Sequence, residues 1–304
     1  MQEIQLADGK HVYTYGPQHE PVADVCCGEP VRVHTIDAFH NKLMSASDLP
    51  SEKTPGYPFV NPLTGPVRVK DAEPGDTLEV HLRAIHPARE FAVTALVQDF
   101  GLLTRTNVTP LMHDPLPERT RPLPIRDGRV WFDERRALPL QPFIGSLGVA
   151  PALEAVSSIT PGPWGGNMDC VETGEGVTVL LPVFVPGALF FIGDAHARQG
   201  DGEVTGVAAE MPAEIELSFG LRKKEPIAWP RIQTDDYLMT VGSARPLEDA
   251  TRIATSELVR WLETDHGFEA MEAYEFLGLA LELRVGNVVD PNYSVVAKVR
   301  RDLL

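Results

Sequence analysis

Polar and apolar residues alternate along several short runs of the chain. Val31-Arg32-Val33-His34-Thr35-Ile36, Thr77-Leu78-Glu79-Val80-His81-Leu82 and Glu214-Ile215-Glu216-Leu217-Ser218-Phe219 keep a period of two. Ala92-Val93-Thr94-Ala95-Leu96-Val97 and Val177-Thr178-Val179-Leu180-Leu181 are richer in β-branched residues. Such runs, bounded by turn residues, predict short strands of a sandwich or barrel. The chain holds 27 Pro and 25 Gly, spread along it rather than pooled in a linker. No repeat occurs at solenoid spacing. The pattern changes at Leu247. From there Leu247, Ala250, Ala254, Leu258, Trp261 and Leu262 keep a helical spacing, with Pro246 at a first-turn position. A second helix is predicted over roughly Phe268 to Ala280, with Met271 and Tyr274 in the core, and a final strand over Leu281 to Val285. The fold class expected is mainly β, with an α+β ending of two helices and a strand near the C-terminus.

Composition narrows the partners. Of 304 residues, 27 are Lys or Arg and 43 are Asp or Glu, a net charge of −16. That field repels nucleic acid and anionic membranes, so neither is expected as a partner. The longest apolar stretch, Val177 to Ile192, is broken by Pro182, Pro186 and Gly187, which argues against a membrane span. The first residues have no basic segment followed by an apolar one, so no secretory signal is expected. Cys26 and Cys27 are adjacent and Cys170 stands alone. An odd count with adjacent cysteines suits a reducing cytoplasm. The length allows a single unit over 1–304, or a division into an N-terminal β half, 1–150, and a C-terminal half with helices, 151–304.

Three segments offer chemistry. In Gly165-Gly166-Asn167-Met168-Asp169-Cys170, Asn167 and Asp169 lie two apart, so an extended chain points both the same way. They can offer oxygen ligands to a metal, or can satisfy their own loop. In Gly193-Asp194-Ala195-His196, followed by Gly200-Asp201-Gly202-Glu203, Asp194 and His196 share a strand face. A reversal is expected at Gly200-Asp201-Gly202, with Glu203 opening the returning strand. Mixed His, Asp and Glu donors suit zinc or another divalent ion, although a lone His beside carboxylates also serves structure. Asp37, at the end of a strand, is a ligand, a general base or a cap. Asn61-Pro62-Leu63-Thr64-Gly65-Pro66 and Glu73-Pro74-Gly75-Asp76-Thr77-Leu78 read as structural turns.

Taken in order, these segments, with Leu181-Pro182-Val183-Phe184-Val185-Pro186-Gly187-Ala188 and Leu283-Arg284-Val285-Gly286-Asn287-Val288-Val289-Asp290-Pro291, resemble the acetamidase/formamidase family. The resemblance runs over most of the chain and follows the shorter, acetamidase-like branch. It implies hydrolysis of a short aliphatic amide to a carboxylate and ammonia. It also implies half-barrel or jelly-roll-like β-sandwich units, a homo-oligomer and a divalent metal, with zinc first and calcium as the alternative. On that basis Asp37, Asp169 and His196 are expected as metal ligands. Glu203 or Asp201 is expected as the acid that protonates departing ammonia, and Asn167 as an oxyanion donor. Trp164, Gly165 and Gly166 are expected to line the substrate pocket, with Trp164 limiting its size. A small neutral amide fits the charge of −16.

Three alternatives stay open. Cys170 can act as nucleophile with His196, although its place next to Asp169 turns its side chain the other way. A β-sandwich can also bind a ligand or a structural metal without catalysis. Trp261 and Leu262 adjoin an apolar stripe that predicts contact between subunits, unless the chain's own sheet covers it.

Overall fold

The computed structural model describes residues 1–7, 9–104 and 116–304. Two large open sheets dominate. The first has nine strands. From the edge Gln2–Ile4 it runs through Val31–Thr35, Ala213–Arg222, Thr77–Pro87, Thr178–Pro182, Arg231–Gln233, Tyr237–Ala244 and Tyr293–Arg300 to Glu282–Asn287. The second has ten. Its path is Ala137–Pro139, Arg129–Trp131, Arg119–Arg126, Phe91–Leu96, Glu210–Met211, Phe190–His196, Phe143–Val149 and Gly165–Asn167. Leu63–Val69 pairs with Phe190–His196 and carries Ala23–Val25 on its other side. Neither sheet keeps to one side of residue 150. Thr77–Pro87 pairs with Ala213–Arg222, and Phe143–Val149 pairs with Phe190–His196, so the halves 1–150 and 151–304 are interleaved.

Alternation explains the layers. Val31, Val33, Leu78, Val80, Leu82, Ile215, Leu217 and Phe219 of the first sheet meet Leu147, Phe190, Ile192 and Met211 of the second in one buried cluster. Phe190 and Phe219 meet edge to face across the interior, centroids 5.2 Å apart. The outer face of the first sheet is covered by the helices Leu247–His266 and Ala270–Ala280. Ala254, Leu258, Trp261, Leu262 and Leu277 pack there on Leu238, Ala297 and Val299. Trp261 and Leu262 are therefore buried by their own sheet, so the stripe that predicted a subunit contact is used within the chain. Met271 and Tyr274, expected in the core, are 60% and 59% exposed. They sit on the face of a covering helix that looks away from the sheet. Among the described residues no helix is long and apolar enough to cross a membrane.

Candidate metal centre and its cavity

The site forms on the second sheet because two neighbouring strands break their alternation at the same place. Along Phe190–His196, Phe190 and Ile192 face the core, and so does Ala195. The break falls at Asp194, whose backbone is left-handed, φ 55°. On the paired strand Ile144 faces the core, and so do Leu147 and Val149, so the break falls at Gly145 and Ser146. Unbroken alternation would have sent Asp194 and His196 into the apolar interior. The shift turns them outward instead. Ser146 pairs with Asn167 on one side and Gly193 on the other, which sets Asn167 and Asp194 around it. Glu210 lies directly across from His196 in the two-residue strand Glu210–Met211. Asn61, Asp169 and Glu203 also have left-handed backbones, with φ of 48°, 49° and 45°. Asn and Asp tolerate this region; Glu does so at a cost, and such strain gathers at functional sites.

Asp169 and Glu210 are each held by one oxygen and left open at the other, and Asp194 is held at Oδ2. Asp169 Oδ2 accepts from Asn167 Nδ2 at 2.8 Å and Asn287 Nδ2 at 3.1 Å. Asp194 Oδ2 accepts from Asn61 Nδ2 at 3.1 Å and Ser146 Oγ at 3.4 Å. Glu210 Oε1 accepts from the Ala208 amide at 2.9 Å. His196 is fixed in the same way. Gln199 Nε2 donates to the carbonyls of Asp169 at 2.9 Å and Gly286 at 3.0 Å. That leaves Gln199 Oε1 facing His196 Nδ1 at 3.0 Å, so Nδ1 carries the proton. In the neutral ring Nε2 then presents a lone pair. It lies 3.4 Å from Asp194 Oδ1 and 3.3 Å from Glu210 Oε2.

Asp169 Oδ1, His196 Nε2 and Glu210 Oε2 are buried without a hydrogen-bond partner. Asp169, His196 and Glu203 form one group whose ligand atoms all lie within 4.8 Å of one another; Asp194, His196 and Glu210 form a second. A Cβ on Gly145 would stand 2.6 Å from both Asp169 Oδ1 and Asp194 Oδ2, so only glycine leaves this space clear. Open, buried, convergent donors of carboxylate and imidazole type fit a divalent cation.

The electrostatics point the same way. Burial, with Asp290 and Asp194 adding to it, pushes the Asp169 carboxyl well above its ordinary range. Burial and then Asp169 do the same to Glu203. Burial and then Glu203 do so to Asp290. Glu210 is pushed up to about 7, by burial first, partly offset by His196. Burial opposes charge on the His196 ring, but Glu210 and Asp194 outweigh it and raise the ring well above its ordinary value. A cluster of this kind is satisfied by protons or by a cation.

Above it opens a cavity of about 400 Å³. Asn61, Asn167, Asp194, Glu203, Glu210 and Asp290 form its polar floor. Glu203 also lines a neighbouring cavity of about 360 Å³, so it stands between the two.

The sequence-predicted residues fall into two groups. Asn167, Asp169, His196 and Glu203 come together here. The turn at 201–203 is a 3₁₀ helix that contains Glu203, and the returning strand begins only at Glu210. Asp37 stays outside both groups. Its Oδ1 accepts from the amides of Phe39 and Asn41, and its Oδ2 takes Arg89 at 2.9 Å. Asp201 is exposed and pairs with Arg284 at 2.7 Å, turned away from the cluster. The amide protons of Asn167 are engaged by Asp169 and Asp290, so neither is a free donor. Gly165 and Gly166 pack as backbone. A Cβ on Gly165 would lie 2.4 Å from the Leu147 carbonyl, and one on Gly166 2.5 Å from that of Thr160. Trp164 lies over Gly162 and Gly166 and packs on the core without lining the cavity. Cys170 is buried in the interior, its thiol donating to the Met168 carbonyl at 3.3 Å. Burial, then Glu172, pushes that thiol well above its usual value. This is the opposite of an activated nucleophile.

Asn61, Glu210, Asn287 and Asp290 were not singled out as site residues from the sequence. Asn61 looked like part of a turn before Pro62, and a two-residue strand at Glu210 leaves no pattern.

The acetamidase/formamidase family model matches residues 4–155 and 143–303. The chain belongs to that family. It is similar to the crystal structure of acetamidase from Yersinia enterocolitica: 41% identity, TM-score 0.92, 96% of this chain and 89% of that one covered. The acetamidase structure from Bacillus halodurans matches at 30% identity and TM-score 0.88, covering 96% of each chain. A formamidase of Methylophilus methylotrophus is 29% identical over 171 residues, which are 49% of this chain and 42% of that protein. The chain spans about half the length of the curated relatives it matches.

Proposed function

We propose that this protein hydrolyses neutral primary amides to carboxylate and ammonia, with a divalent ion held at the floor of the cavity. The observation that supports it most directly is the set of buried atoms without partners, Asp169 Oδ1, His196 Nε2 and Glu210 Oε2, in a chain of this family. His196 would hold the ion with Asp194 and Glu210, and Asp169 converges on the same imidazole, which leaves Glu203 for proton transfer. The imidazole among the donors favours zinc over calcium, which prefers an all-oxygen shell. Such an ion supplies Lewis acidity, which polarises a carbonyl and brings the pKa of a water to about 7.

The chain's own residues do the rest. Glu203 makes no side-chain hydrogen bond to another described residue and faces the cavity, and its raised proton affinity suits an acid–base group. It takes a proton from the attacking water and returns it to the nitrogen. The nitrogen has to leave as ammonia, because an amide anion is a very poor leaving group. Gln199, Asn61, Asn167 and Asn287 hold the imidazole and carboxylates so that their open atoms converge. The −16 charge and acidic floor exclude anionic substrates.

The test is ammonia release from formamide and acetamide, with metal analysis of the purified protein. Near one zinc per chain, activity lost on chelation and regained with zinc, and loss of both in His196→Ala are expected. A zinc-loaded protein that releases no ammonia from any amide would make this a metal-binding protein without catalysis. Free Cys26, Cys27 and Cys170 support a cytoplasmic setting. A homo-oligomer is part of the same proposal, checked by light scattering against the 33.3 kDa of one chain.

A further inference from the structure

We infer that the preferred substrate is an amide with a bulky apolar acyl group, of arylalkyl type, rather than formamide or acetamide. This deepens the amidase reading and rests on it. A carboxamide head needs only the floor, where Asn61, Asp194, Glu203 and Glu210 stand. Acetamide has four heavy atoms. If each is no larger than a water, at about 30 Å³, it fills at most on the order of 120 Å³. The cavity holds about 400 Å³, a volume within the class that encloses drug-sized ligands.

The remaining space has apolar walls. Phe39, Val60, Val97, Phe100, Ile159 and Val207 stand above the floor. With formamide bound, the half-buried Val60, Val97, Phe100 and Ile159 would go on facing water; an aryl group would cover them. Charge restricts the tail further. Among the described residues no lysine or arginine lines the cavity, and Glu118 stands at its wall, accepting from the Ser51 amide at 2.6 Å and the Ser51 hydroxyl at 2.7 Å. Among the described residues, an amide with a carboxylate or phosphate tail finds no partner there. Trp164, the residue whose bulk would have limited substrate size, does not line this space.

The experiment compares kcat/KM for phenylacetamide, hexanamide, acetamide and formamide on the zinc-loaded protein, by ammonia release. Phenylacetamide is expected to exceed acetamide by roughly tenfold or more, the least that one additional methylene commands in an apolar pocket. Ile159→Trp and Val97→Phe, which fill the walls, are expected to lower the phenylacetamide-to-acetamide ratio by about the same factor. Acetamide or formamide hydrolysed better than both larger amides would overturn the inference and leave the amidase reading standing. So would an unchanged ratio in both variants, once circular dichroism shows them folded. Release of ammonia from none of the four would remove the amidase reading, and the inference with it.

Discussion

Asp37 and Asp169 are both completely buried carboxylates, and they do opposite work. Asp37 is closed: two backbone amides and the Arg89 guanidinium occupy its two oxygens. Asp169 is half closed. Two side-chain amides hold Oδ2, while Oδ1 has no partner and Asp194 and Asp290 add repulsion. Glu257 repeats the first pattern, pairing with Arg231 at 2.7 Å. Burial alone therefore does not mark a site. A buried acid whose neighbours supply every donor is architecture. One left open beside other acids is satisfied by a proton or by a cation.

The largest effect that would sharpen this contrast is expected on the open side. Glu203→Gln keeps the shape and removes the titrating group. It should lower kcat by about 10²–10⁴-fold with the fold intact, and turnover within threefold of the parent would remove Glu203 from the chemistry. On the closed side, Arg89→Met strips the counter-charge from Asp37. It is expected to cost about 3–5 kcal/mol in denaturant unfolding while zinc content stays unchanged; a loss of zinc instead would join the two regions into one. Gln199→Leu reaches the centre only through the imidazole, so zinc affinity in a competition titration should weaken about 10–100-fold. Affinity equal to the parent's would show that the ring needs no such hold.

The smallest effect is in the pH dependence of the metal-free protein. Glu210 titrates ordinarily at 4.5 and in the fold at about 7; Asp169, Glu203, Asp290 and His196 are raised as well. A raised folded pKa means that the fold keeps protons the unfolded chain releases. This stabilisation is complete below the unfolded value and is lost as pH rises through the folded one. The EDTA-treated protein should melt a few degrees lower at pH 8 than at pH 5, and zinc should restore stability at the higher pH. A melting temperature that climbs between those two pH values without metal would contradict the arrangement.

The sequence displayed some of this and hid the rest for physical reasons. Alternation located Val31–Thr35, Thr77–Pro87 and Ala213–Arg222, and helical spacing located Leu247–His266, because burial on one face writes a period. Asn167, Asp169, Asp194, His196 and Glu203 were visible because glycines flank them. Glu210 was not, since its place opposite His196 is a matter of strand register. Asp37 misled because its partner, Arg89, is 52 residues away. Asp201 misled because Arg284 returns to it from beyond both C-terminal helices. Trp164 misled because two glycines without side chains, Gly162 and Gly166, give its ring a bed outside the cavity.

The hydrogen bond between His196 Nδ1 and Gln199 Oε1 has a spectroscopic consequence. A buried imidazole proton held in this way exchanges slowly with solvent and resonates downfield of the backbone amides. His196 is completely buried, and its other nitrogen faces the open carboxylates. One proton signal should therefore move when a cation replaces a proton at Nε2. That signal reports how full the centre is in a sample to which no amide has been added, and so it separates the loading of the site from what the site then does.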